Sequence, residues 1–134
     1  MTKKEMPSLE EWLREAKEQP ESRGAGMYLF HNGVVRETAK AYAREGVEEG
    51  KAISGMRFSY DQEKVEAAVE RARKLPGITH IRVWLNEGLL SVGDDIMLVL
   101  VGGDIRPRVI DALQSLVQEL KEHCVGEEEI REEA

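Results

Sequence analysis

Three cations at the ends of structural elements are the residues best suited to chemistry in this chain. Arg36 closes an apolar stretch after a glycine, Arg106 stands where an apolar run hands over to a helix, and Lys121 lies in that helix's last turn. Cations so placed would hold a small anion. Free backbone N–H groups and the helix dipole favour negative charge at a helix start, which is where Arg106 sits. Each residue alone also has a plain reading. Arg106 suits a solvated surface, and Lys121 suits the negative end of a helix dipole. At about 1.5 Å per residue, Arg106 and Lys121 stand roughly 22 Å apart along one helix. They can share a small ligand only where two copies of the chain meet, so a shared site requires a dimer.

Other reactive side chains point elsewhere. Cys124 falls on an apolar helical stripe and reads as a buried structural thiol rather than a nucleophile. His31 falls on a strand and reads as a packed or hydrogen-bonded histidine. His80 and His123 are scattered, and no Cys/His cluster has zinc-ligand spacing. With one cysteine, the chain cannot form an internal disulfide. The chain has no Walker loop, no Gly-x-Gly-x-x-Gly after a strand, no Gly-x-Ser-x-Gly elbow and no His-Glu-x-x-His. Neither a metal nor a cofactor is expected.

The elements that position these residues are readable from patterning. Ser8-Leu9-Glu10-Glu11 is a capping-box pattern, and Trp12, Leu13 and Ala16 give a short amphipathic helix ended by Pro20. Residues 26–36 read as a strand, with Asn32-Gly33 marking a bulge or a close backbone approach. Residues 37–51 fit a short helix or a mobile loop. Met56, Phe58 and Tyr60 alternate with Arg57 and Ser59, as a half-buried strand does. Asp61 caps a helix that carries Val65, Ala68, Val69 and Ala72 and stops at Pro76-Gly77. Ile81, Val83 and Leu85 then alternate in a strand, and Asn86-Glu87-Gly88 turns the chain. Residues 95–101 are almost continuously apolar, so that strand should be covered on both faces. Pro107 suits a first helical turn, and Val109, Ala112, Leu113, Leu116, Val117, Leu120 and Cys124 keep a helical period. The acidic end should fray.

The bulk properties agree. At 134 residues the chain suits one domain with one core. A net charge of −7 argues against general nucleic-acid binding, which needs a clustered positive surface. It does not exclude a local basic pocket. The N-terminus has no apolar signal region, and the longest apolar run is too short to span a bilayer, so a cytoplasmic location is expected. The element order needs a layer of helices over its strands, a two-layer α+β domain with a mixed or antiparallel sheet.

These motifs together resemble the large, catalytic subunit family of molybdopterin synthase (MoaE-type). The run Gly26-x4-His31-x-Gly33-x-Val35-Arg36 looks like that family's opening strand, Gly-Ala-Val-Val-x-Phe-x-Gly-x-Val-Arg. Met56-Arg57-Phe58 resembles its Leu-Glu-Tyr strand. Gly88-x-Leu90-x-Val92-Gly93-Asp94 resembles its Gly-x-Leu-x-Val-Gly-Glu segment. Arg106 to Lys121 resembles its His-Arg-x-x-Ala-Phe-x-Ala helix ending in Leu-Lys. The resemblance covers residues 24–125, with 1–23 as an N-terminal helical extension and 126–134 as an acidic tail. It implies an α/β hammerhead fold. It also implies sulfur transfer to cyclic pyranopterin monophosphate, forming molybdopterin. The sulfur arrives as a thiocarboxylate on a small ubiquitin-like subunit, and two large subunits form the centre of a heterotetramer. By position, Arg36 and Arg106 would bind the anionic substrate and Lys121 would be the catalytic lysine.

The chain departs from the family pattern at several positions. The family's second lysine falls on Gly126-Glu127-Glu128, its histidine before the arginine is Ile105, and its earlier His-Arg-x-Gly is Leu85-Asn86-Glu87-Gly88. These departures define the alternative, a non-catalytic dimeric paralogue that binds a ubiquitin-like tail or another small anion. A generic α+β dimerisation module is a third reading.

Overall fold

The computed structural model describes residues 2–37 and 53–131. The segment expected as a short helix or a loop lies, apart from Glu37, outside the described residues. Helix α1 spans Leu9–Glu18, and a 3-10 turn follows at Pro20–Gly24. Strand β1 is Met27–Val34, β2 is Ile53–Tyr60, helix α2 is Gln62–Arg73 and β3 is Ile78–Leu85. Then come β4 (Gly88–Ser91), β5 (Asp95–Gly103) and helix α3 (Arg106–Glu119). A π-turn at Leu120–Cys124 and strand β6 at Val125–Arg131 complete the order.

The α+β class expected from the element order is observed, with the strands divided between two antiparallel sheets. One sheet runs β1-β5-β3 and the other β4-β2-β6. Strand β5 lies at the centre of the first sheet and is covered on both faces, as its apolar run implied. Met97, Val99 and Val101 face the main core, where Val65, Ala68 and Ala72 of α2 and Val109, Ala112 and Leu116 of α3 pack. Leu98 and Leu100 face the other way, onto Trp12 and Ala16 of α1. The four-residue spacing of Trp12 and Ala16 puts both on one helical face. Ser8 caps this helix, its Oγ accepting from the Glu11 N–H at 3.1 Å. The Arg82 guanidinium lies over the Trp12 ring, 4.6 Å from its centroid.

The described part of the acidic end, through Arg131, does not fray. Residues Val125–Arg131 pair with β2 along nearly its whole length. Three consecutive glutamates carry little intrinsic preference for a strand, so tertiary pairing decides. Glu127 lies opposite Phe58 and Glu129 opposite Met56, while Glu128 lies opposite the exposed Arg57. Opposite charges facing across a ladder favour that register.

Local contacts fix both ends of β3. Asn86 is fully buried. Its Oδ1 accepts from the Lys4 N–H at 2.7 Å, and its Nδ2 donates to the Lys4 carbonyl at 3.1 Å and the Asp95 carbonyl at 2.8 Å. The N-terminal segment around Lys4 is thereby tied to the β3–β4 turn. At the other end of β3, Gly77 takes a φ of +81° beside Asp104, a backbone state that favours glycine. No helix among the described residues is long and apolar enough to cross a membrane.

Candidate functional site

The end of β1 and the end of α3 meet at one cavity of about 240 Å³. Arg36 and Lys121 both line it. Arg36 follows Val35, which is buried and held at both backbone groups. The Val35 N–H donates to the Asp94 carbonyl at 3.0 Å, and the Val35 carbonyl accepts from the Gly93 N–H at 2.8 Å. A bulge or a close backbone approach is expected at Asn32-Gly33, and the ladder is irregular there, with a register shift between Gly33 and Val34. Gly33 itself lines the cavity. A Cβ there would lie 3.1 Å from Met97 Cγ and 3.6 Å from His31 Nε2, so the missing side chain keeps this wall open.

Lys121 reaches the cavity from the π-turn. Leu116, Leu120 and Cys124 stay buried on one face, and Lys121 sits beside that anchored stripe. A wider turn at a helix end is a recurrent way of re-aiming a functional side chain. Cys124 is buried, and burial pushes its thiol pKa up, as suits a structural thiol.

Carboxylates complete the lining. Glu127 and Glu129 enter from β6, on the same strand face as Met56 and Phe58. Lys121 Nζ lies 3.9 Å from a Glu127 carboxylate oxygen. The described cavity is therefore balanced, Arg36 and Lys121 against Glu127 and Glu129.

His31 is the residue that sequence reasoning passed over. Its strand position reads as packed or hydrogen-bonded, yet its Nε2 is buried without a hydrogen-bond partner. The imidazole lines the same cavity, and it also lines an adjoining cleft of about 680 Å³ along α3. Lys121 lines both spaces too, so the two residues stand where they adjoin. Burial, and then the Lys121 charge, hold the imidazole pKa below its ordinary value. The signal available in sequence was a histidine on the same strand face as Gly33.

Arg106 lies elsewhere. It opens α3, is exposed, and lines neither space that holds Lys121. The helix separates the two residues, as its rise implied. Among the described residues no group of three His, Cys, Asp or Glu side chains could hold a metal ion.

The fold is that of molybdopterin synthase large subunits. A chain of molybdopterin synthase from Staphylococcus aureus superposes with a TM-score of 0.72 at 19% identity, covering 97% of this chain and 90% of that one. Molybdopterin cofactor biosynthesis protein E from Burkholderia multivorans gives 0.70 at 17% identity, over 96% and 84%. A chain from the complex of subunits 1 and 2 of the molybdopterin-converting factor of Helicobacter pylori gives 0.62 at 16%, over 93% and 84%. No curated protein matches the chain significantly in sequence. The family model described as MoaE protein matches residues 2–123, and the chain belongs to the MoaE family. Its role lies in molybdenum cofactor biosynthesis.

Proposed function

We propose that the chain is the large subunit of a molybdopterin synthase, acting in the cytoplasm as a dimer with a small ubiquitin-like sulfur carrier bound to each copy. The convergence of Arg36 and Lys121 on one cavity carries this reading. The substrate is cyclic pyranopterin monophosphate, and its phosphate needs a fixed cation. Arg36 supplies one, presented by a backbone held on both sides of Val35. Transfer forms a carbon–sulfur bond on the pterin side chain while an oxygen leaves that carbon, and hydrolysis of the carrier's acyl–sulfur bond returns its tail as a carboxylate; negative charge develops on the departing oxygen. Lys121 stabilises that charge or moves a proton. Arg106 joins a site only across the dimer, in the partner copy's cavity. The H. pylori relative, described as a complex of subunits 1 and 2, supports a small-subunit partner for this chain.

One observation favours a second reading. Glu127 stands beside Lys121, in the Gly126-Glu127-Glu128 stretch where the family carries a second lysine, and it opposes anion binding. A non-catalytic paralogue that holds a ubiquitin-like tail would tolerate this. Purified protein, a thiocarboxylated carrier and cyclic pyranopterin monophosphate separate the two. Molybdopterin that forms with wild type and is lost with Lys121→Ala supports synthesis. No product from wild type, beside a working control synthase, rejects it.

A further inference from the structure

We propose that His31 is an anion-contacting residue of this cavity that takes up a proton when a tetrahedral dianion binds. The inference rests on reading the cavity as an anion site, and it adds a group that the family's strand motif does not supply. That motif places phenylalanine at position 31.

Charge balance sets the need. The described cavity pairs Arg36 and Lys121 with Glu127 and Glu129, so a dianion arriving there has no surplus positive charge to meet. A protonated imidazole would provide it. His31 is placed to respond, because it lines the cavity and has a buried ring nitrogen with no hydrogen-bond partner. The groups around it leave few rivals. Strand β5 contributes apolar side chains, Met97 in the cavity wall and Val99 directly opposite His31 in the ladder. Helix α3 contributes the neutral Gln114 and Gln118 on the cleft side, and the π-turn adds Glu122 beyond Lys121.

Burial, and then the Lys121 charge, hold the imidazole pKa below its ordinary value. A bound dianion offsets the Lys121 field and adds its own attraction for a proton. The His31 pKa must then rise, because an opposite charge close by favours the charged form. By linkage the same coupling makes the anion bind more tightly when His31 is already protonated. A pKa higher by about one in the bound state corresponds to a roughly tenfold ratio of affinities.

Sulfate is the probe, because it stays a dianion across the range in which histidine titrates. The His31 ring pKa is read by NMR with and without saturating sulfate, and His31→Phe assigns the signal. A rise of about one pH unit is expected. Sulfate should also bind about tenfold more tightly at the acid end of the titration than at the alkaline end, with that dependence lost in His31→Phe. If sulfate shifts the Gly33 and Arg36 amide signals while the His31 pKa stays fixed, the inference falls and the anion site stands. Sulfate that leaves those amides unmoved removes the anion-site reading, and the inference goes with it. The pKa comparison uses the wild-type protein, so poor folding of the variant cannot decide the matter.

Discussion

Lys121 Nζ stands 3.9 Å from the Glu127 carboxylate in the lining of a cavity shared with Arg36. The pairing restrains the lysine and also places negative charge where an anion would sit. These effects oppose each other, and their balance can be measured. Glu127→Gln removes the charge and keeps the shape. Sulfate should then bind about tenfold more tightly, roughly 1.4 kcal/mol, a modest share of what two charges this close exchange in a partly solvated site. Isothermal titration reads the change. Weaker binding in Glu127→Gln would mean that the carboxylate serves mainly to hold Lys121 in place.

Asn86, which does not itself line the cavity, should be a stability hot spot. Its side chain answers both backbone groups of Lys4 as well as the Asp95 carbonyl, all in a fully buried position. Asn86→Ala leaves those groups unpaired. A loss of about 2–3 kcal/mol is expected, read from urea unfolding midpoints at constant slope. The extension should also become open to proteolysis near Lys4. A variant as stable and as resistant as wild type would show that the clamp contributes little.

Acid should weaken the fold through its histidines. Burial, then Arg82 and Arg73, push the His80 pKa down, against a weaker opposing pull from Glu21. His31 is lowered as well. In both cases the unfolded chain takes up the proton first as pH falls below 6.5. Stability present above 6.5 is therefore lost as pH falls from there towards the lowered folded-state values. His80→Gln should flatten that part of the stability–pH curve. A curve parallel to wild type would place the acid sensitivity at other groups.

The elements that bury apolar stripes were legible in the sequence, and those built by tertiary pairing were not. The double-faced cover of β5 followed from its unbroken apolar run, and the Asp61 cap from one residue type. The Asp61 carboxylate does accept from the Lys64 N–H, at 3.2 Å. Strand β6 was not legible, because Gly-Glu-Glu-Glu has neither the alternation nor the β-branching that marks a strand. Its position depends on β2, which is remote in the chain. The meeting of Arg36 and Lys121 was hidden for the same reason. Nothing local tells that the end of β1 and the end of α3 share a corner, and only the family resemblance joined them. The helix rise did show that Arg106 stands far from Lys121, and the structure keeps them apart. Amide hydrogen exchange tests the revised end directly. The amides of β6 bonded to β2 should be protected, and exchange as fast as in an unstructured peptide would return the segment to the solvent.

The separation of Arg106 and Lys121 gives a test of whether two copies build each site. Suppose that Arg106 of one protomer serves the cavity that holds Lys121 of the other. Arg106→Ala and Lys121→Ala dimers would then each be inactive. A mixed dimer would carry both lesions in one cavity and none in the other. Random reassortment of equal amounts puts half of the protein in mixed dimers, and half of their cavities are intact. Activity should recover to about a quarter of wild type, since each closed dimer holds two equivalent sites. Molybdopterin formation with a thiocarboxylated carrier is the readout. An inactive mixture would rule out a cavity that draws Arg106 from one protomer and Lys121 from the other. A fully active Arg106→Ala dimer would make Arg106 the solvated surface arginine that its position at the start of α3 also permits.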